Sequence, residues 1–270
     1  MKKYLLSLIA VVASVAANAE PVVLSDTSVD EDYATSEESF NAPSQIQPMK
    51  KNSIATDTSD PLFLDGDNKF LSDTYAVYTE SRMHFGEYLA YGVNNNFAFH
   101  MNMHYQVDFT HEHQNGFSAT EFGGTYRMNH GKDESHIISD ALFGLKLWGS
   151  SRVRSPEYAD SLYYAGLRFG RQFAGLTLSG TMKSTWVFDD NRGVSYLDFI
   201  PEAYFRFQYD WRAGLGFDIR RSTNPNLMPN QEWLNSKILR QFGNTQYVGK
   251  FDYEIESHEV LIGLDVKILF

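Results

Sequence analysis

The sequence predicts an all-β chain: a transmembrane, antiparallel, up-and-down β-barrel of about ten strands, with eight or twelve as the neighbouring even counts. Three observations predict it. The last thirteen residues, His258 to Phe270 (HEVLIGLDVKILF), place Val260, Ile262, Leu264, Val266, Ile268 and Phe270 at every second position, the pattern of a strand with one apolar face. The same period recurs along most of the chain, whereas beyond Ala19 no apolar run approaches the ~20 residues a membrane helix needs. Aromatic residues make up 15% of the 270 residues, led by 20 Phe and 16 Tyr, which suits strands and the interfacial rings around a barrel.

Taken in order, residues 1–19 (MKKYLLSLIAVVASVAANA) have a basic start, an apolar core and a small-residue exit at Ala17-Asn18-Ala19, and read as a signal peptide. Residues 20–70 read as an acidic flexible segment. Asp30, Glu31, Asp32, Glu37 and Glu38 cluster there, opposed before residue 70 only by Lys50, Lys51 and Lys69. From Glu20 to Asp67 the stretch is rich in Ser, Thr, Asp, Glu, Pro and Asn, and no sustained period of 2 or 3.6 runs through it. It is expected to be a solvated tether; the sharper alternative is a segment that binds a periplasmic partner or enters the barrel.

Residues 71–270 form the predicted barrel. In Phe97 to Phe109, Phe97, Phe99, Met101, Met103, Tyr105, Val107 and Phe109 alternate with Ala98, His100, Asn102, His104, Gln106 and Asp108. Leu176–Trp186, Leu197–Tyr209 and Trp211–Ile219 repeat the alternation, and weaker strands are expected at Thr74–Val93, Thr120–Met128, Ile137–Trp148, Leu162–Gln172 and Tyr247–Ile255. Ser222–Asn244 is expected to be a loop, although Trp233, Leu234, Ile238, Leu239 and Phe242 fall near helical spacing and would suit a short amphipathic helix. This arrangement puts short links outside the cell and the long one inside, the reverse of the usual pattern.

The signal, the alternating aromatic-rich strands and the terminal Phe270 resemble bacterial outer-membrane β-barrel proteins of the porin-like class, over roughly Tyr75 to Phe270. The resemblance implies the outer membrane of a Gram-negative envelope, contact with its lipid, and recognition of the last strand by the barrel-assembly machinery. Alternation then turns Glu80, Arg82, His84, His100, His104, Asp108, Glu121, Arg127, Arg168, Lys183, Asp198, Glu202, Arg206, Arg212, Asp218 and Arg220 toward the lumen. Acids and bases mix there without excess of either sign. A barrel this narrow is filled by side chains, so the charges either satisfy one another or line a route for small polar solutes. Trp148, Tyr158, Trp186, Tyr209, Trp211 and Trp233 near strand ends would form interfacial girdles.

Several chemistries fall away. With no cysteine there is no disulfide or thiolate chemistry, and a net charge of −11 argues against a nucleic-acid partner. His100 and His104 stand about 13 Å apart on a strand, too far for shared coordination at about 2 Å, and His111-Glu112-His113 reads as a solvated loop, so no metal and no cofactor is assigned. His113-Gln114-Asn115-Gly116 faintly resembles the His-x-Ser-Asn-Gly stretch of outer-membrane phospholipases but lacks the serine; Ser118 would have to replace it. His136 and Ser139 fall on opposite strand faces. Asp108, Asp189 and Asp190 near strand ends form no protease motif. The sequence therefore points to a non-enzymatic barrel, a narrow conduit for small polar solutes or a membrane-structural protein. The alternatives are a barrel enzyme, lipid hydrolase or protease, and a soluble periplasmic ligand-binding β-protein.

Overall fold

The computed structural model describes residues 58, 60–110, 115–147, 161–173, 175–188, 195–207, 210–226 and 228–270. The predicted signal peptide and most of the acidic segment lie outside the described residues. Among those described, the chain is all-β and helix-free. Its strands are β1 (Phe70–Tyr78), β2 (Arg82–Asn94), β3 (Phe97–Asp108), the two-residue β4 (Gly116–Phe117), β5 (Thr120–His130), β6 (Ile138–Leu147), β7 (Leu162–Phe173), β8 (Leu176–Val187), β9 (Ser195–Arg206), β10 (Trp211–Ser222), β11 (Gln231–Phe242), β12 (Thr245–Glu254) and β13 (Val260–Leu269).

Each long strand pairs antiparallel with its sequence neighbour, and β1 closes the ring on β13, with Leu71 opposite Leu269 and Tyr78 opposite Ile262. Twelve strands form the wall, while β4 is an appendage on Tyr105 and Gln106 of β3. Closure satisfies both edges of the sheet, which hydrocarbon would leave without hydrogen-bond partners.

The count corrects the expected ten. Thr74–Val93 is not one strand but parts of two, because the chain reverses at Thr79–Ser81, where the Thr79 N–H donates to the Arg82 carbonyl at 2.8 Å. Ser222–Asn244 contains β11 rather than a loop or helix. Its outward row is Leu234, Ser236, Ile238, Arg240 and Phe242; Trp233 and Leu239 belong to the inward row, and their off-phase bulk imitates helical spacing. With two more strands the loops also change ends. The two-residue links after Asn94, Phe173 and Phe242 share an end with Phe70 and Phe270, while the longer links after Asp108, Leu147, Val187 and Ser222 lie at the other. That is the usual arrangement of an outer-membrane barrel, with its termini on the periplasmic side.

Register carries the alternation from strand to strand. Phe99, Phe143, Leu167, Met182, Phe199, Leu215, Ile238, Phe251 and Ile262 are exposed on the outward rows, while the inward rows hold buried charges such as Asp140, Asp198 and Asp265 beside scattered apolar residues such as Leu239 and Val248. A soluble β-protein would bury those apolar rows against each other, so this arrangement is built for lipid. Aromatic residues mark both rims: Phe70 lies 6.0 Å from Phe270 and Phe242 6.0 Å from Tyr247 at the inner one, and Tyr163 stacks 5.1 Å from Trp186 at the outer one. Trp211 is outward at the inner rim, with the Arg240 guanidinium 5.1 Å from its ring. Trp233 is not part of a girdle, since it faces inward between Asp218 and Glu254; Trp148, Tyr158 and Tyr209 lie outside the described residues.

Leu215→Arg, which puts a charge in the middle of the outward belt, is expected to cost about 2–4 kcal/mol. Ser179→Lys, inward and opposite Glu202, is expected to cost less. Denaturant titration of the protein refolded in bilayers reads both.

Candidate functional site

The inward rows bring charges from distant parts of the sequence into paired layers. At the outer rim Arg82 lies opposite Asp108 in register, and the His84 and His104 rings stand 5.7 Å apart. Deeper in, β3, β5, β6 and β7 converge on Glu121. Its carboxylate accepts a 2.9 Å hydrogen bond from the Tyr164 hydroxyl, with His100 Nε2 at 3.3 Å and Lys146 Nζ at 3.6 Å. Tyr88 stacks on His100 at 5.3 Å. On the neighbouring wall Arg220 Nε donates to Asp198 at 2.7 Å while Lys183 Nζ approaches the same carboxylate at 3.6 Å. The circle is completed by Lys237 with Glu202 at 3.1 Å, Lys250 with Asp265 at 2.5 Å and Lys267 with Asp73 at 3.2 Å. Pairs like these resist the loss of one member more than they stabilise the whole, because an unpaired charge would stay behind in a poorly solvated interior.

At the inner end the inward charges meet residues 60–69. Asp140, fully buried, receives Arg127 Nε at 2.8 Å on one oxygen and Arg168 Nε at 2.8 Å on the other. The same guanidiniums reach a segment that precedes β1: Arg127 Nη2 donates to the Leu62 carbonyl at 2.5 Å and Arg168 Nη2 to the Phe63 carbonyl at 3.3 Å. Asp60 accepts from Thr177 Oγ1 at 2.6 Å and from the Leu62 N–H at 2.8 Å. Leu62 is wholly buried beside Gly170. The segment then returns to β2, where the Asn68 N–H donates to the Gly92 carbonyl at 2.9 Å. Gly92 is required there, since a Cβ would stand 1.9 Å from the Gly66 carbonyl oxygen. Residues 60–69 thus cross the periplasmic mouth from the β7–β8 wall to β2, where the sequence led us to expect a tether. The overlooked signal is the apolar run Pro61-Leu62-Phe63-Leu64, too short to show a period.

Asp65, in this segment, is 5% exposed, and its Oδ1 makes no hydrogen bond among the described residues. Burial pushes its pKa up to about 6, against the opposing influence of His100 and Lys267.

Of the residues read from alternation, Arg82, His84, His100, His104, Asp108, Glu121, Arg127, Arg168, Lys183, Asp198, Glu202, Arg212, Asp218 and Arg220 stand on inward rows. Arg206 ends the inward row of β9 and is exposed at the inner rim. Glu80 does not face the lumen: it sits exposed in the β1–β2 turn, because the strand assumed to carry it reverses there. Sequence reading missed Asp73, Asp140, Lys146, Lys237, Lys250, Asp252, Asp265 and Lys267. Alternation within the terminal strand already assigns Asp265 and Lys267, and a correct β11 assigns Lys237. Among the enzyme candidates, His111, His113, Asp189 and Asp190 lie outside the described residues. Ser118 is buried, and its N–H donates to the His104 carbonyl at 2.9 Å. His136 sits in a turn at φ 52° while Ser139 faces outward on β6. The described residues contain no group of three potential metal ligands.

No family model matches the chain, and no curated protein does. Solved structures do. A KdgM porin superposes with a TM-score of 0.56 at 13% identity over 73% of this chain and 98% of its own. A NanC porin gives 0.57 at 10% identity over 73% and 98%. The COG4313 outer-membrane channel from Pseudomonas putida F1 gives 0.54 at 9% identity over 77% and 97%. At these identities the likeness is one of fold: the chain is a closed antiparallel β-barrel of the architecture those porins share.

Asp140→Asn is expected to lower stability by about 3–5 kcal/mol, because Arg127, only 1% exposed, loses its countercharge; unfolding in denaturant measures it. Acidification should tighten the segment. Asp65 binds its proton more readily when docked (about 6) than at its ordinary value of 3.8, so this contribution is full below 3.8 and fades as pH rises through 6. Hydrogen-exchange protection of the Leu62 and Asn68 amides, corrected for intrinsic rates, should therefore rise from pH 7 to pH 5, and Asp65→Asn should flatten that rise.

Proposed function

We propose that the protein is a porin-like conduit for small polar solutes across the outer membrane, closed at its periplasmic mouth by residues 60–69. The observation that carries this reading is the continuity of the inward charged rows, which run from Arg82 and Asp108 at one rim to Arg127, Asp140 and Arg168 beneath the segment. A solute that sheds part of its hydration finds hydrogen-bonding and charged groups at each depth. Acids and bases balance around the wall, so solutes would be sorted by size and polarity more than by net charge. The porins and the channel of like fold support the same reading.

A membrane-structural barrel is the second reading, and the segment across the mouth favours it, since a permanently closed lumen passes nothing. Single-channel recording of the refolded protein in planar bilayers, with and without Glu20 to Asp67, separates the two. A conduit predicts rare or small steps from the longer chain and stable, larger steps once the segment is removed. Silence from both, with insertion verified, would favour the structural barrel or a barrel enzyme instead.

A further inference from the structure

The wall formed by β9 to β12 carries two inward glycines two residues apart, Gly214 and Gly216, on β10. Each lies in a lateral row of register partners. One row runs Glu202, Gly216, Asn235 and Asp252; the next runs Gly214, Lys237 and Lys250. An acidic row therefore lies directly beside a basic one, two residues or about 7 Å along the strands. The glycines let Lys237 and Glu202 fold against the backbone of β10 and meet at 3.1 Å: a Cβ on Gly214 would stand 2.4 Å from Lys237 Cε, and one on Gly216 3.0 Å from Glu202 Cγ. Between the rows a recess of about 200 Å3 opens to the lumen, bounded by Glu202, Asn235, Lys237, Lys250 and Asp252.

We propose that this recess is a binding site for a small zwitterion whose ammonium and carboxylate are a few carbons apart. The carboxylate is taken by Lys237 and Lys250, the ammonium by Glu202 and Asp252, and Asn235 supplies a neutral hydrogen-bonding group between them. The inference rests on reading the lumen as a solute route and adds to it a class of solute. A singly charged molecule of the same length must leave one of the two rows facing an apolar end, and leaving a charge without its partner in a confined site is costly. A zwitterion replaces the Glu202–Lys237 pair with two pairs, and Lys250 faces its carboxylate while staying paired with Asp265.

The test is titration of the whole protein in detergent micelles with 4-aminobutyrate, using butyrate and butylamine as length-matched controls and saturation-transfer NMR as the readout. The proposal expects saturable binding of 4-aminobutyrate, about tenfold or more tighter than either control. Glu202→Gln should remove most of that preference over butyrate. Gly214→Ala should weaken binding by displacing Lys237 while keeping the heat-dependent gel mobility of a folded barrel. Equal binding of butyrate, an unchanged preference in Glu202→Gln, or no binding of the zwitterion would overturn it. Because binding in micelles needs no conduction, a bilayer that stays silent while the probe binds would sink the conduit and leave the site standing.

Discussion

Hydrocarbon offers a peptide group nothing to bond with, and most of this molecule follows from that. Each N–H and C=O in a membrane-crossing stretch must find a partner within the protein, so the strands pair side by side until the first meets the last. The seam between β1 and β13 is therefore the pairing on which the others depend, since without it two edges would face lipid. Closure also divides the residues of each strand. Because neighbours are in register, one row in every strand faces outward and the other inward, and a one-residue slip would carry Asp140 or Asp198 into the lipid.

The inward rows answer a second constraint, that a narrow interior solvates charge poorly. The protein meets it by sharing countercharges between adjacent strands: Asp140 between Arg127 and Arg168, Asp198 between Arg220 and Lys183, Glu121 among His100, Tyr164 and Lys146. At the inner mouth the two arginines have donors to spare after serving Asp140, and the carbonyls of Leu62 and Phe63 take them. The closing segment is thus held largely by its backbone, with Asp60 and Leu62 as side-chain anchors. Leu62 and Leu64 are buried with it, so release would also expose apolar surface. The raised pKa of Asp65 ties that docking to proton concentration.

Legibility in the sequence followed the chemistry of the outward rows. Strands whose outward residues are bulky and apolar, such as β3, β8, β9, β10 and β13, stand out by alternation. β1 escaped notice as a separate strand because its outward row holds Ser72, Thr74 and Ala76; Ser72 and Thr74 donate to outward Glu87 of β2 at 2.5 and 2.6 Å, so neither face looked greasy. β11 was hidden for the opposite reason, with Trp233 and Leu239 adding apolar bulk to the inward row. The lumen charges could be placed on a face one by one, but their partners depend on register between strands, which a single sequence does not encode locally. The closing segment was least legible. Its order comes from arginines at positions 127 and 168, far along the chain, and its own apolar run is four residues long.

The proposed route is shut at its inner end by residues 60–69 of the same chain, and the cysteine-free sequence allows that proposal to be tested by a reversible lock. Asp60 accepts a hydrogen bond from Thr177 at 2.6 Å, so a pair of cysteines at these positions would join the segment to β8. The decisive measurement is bilayer current through an Asp60→Cys/Thr177→Cys protein, oxidised and then reduced in place. With the disulfide formed, the oxidised barrel is expected to be silent, and openings are expected on reduction. A barrel with the disulfide verified that conducts as freely as the reduced one would contradict the proposal.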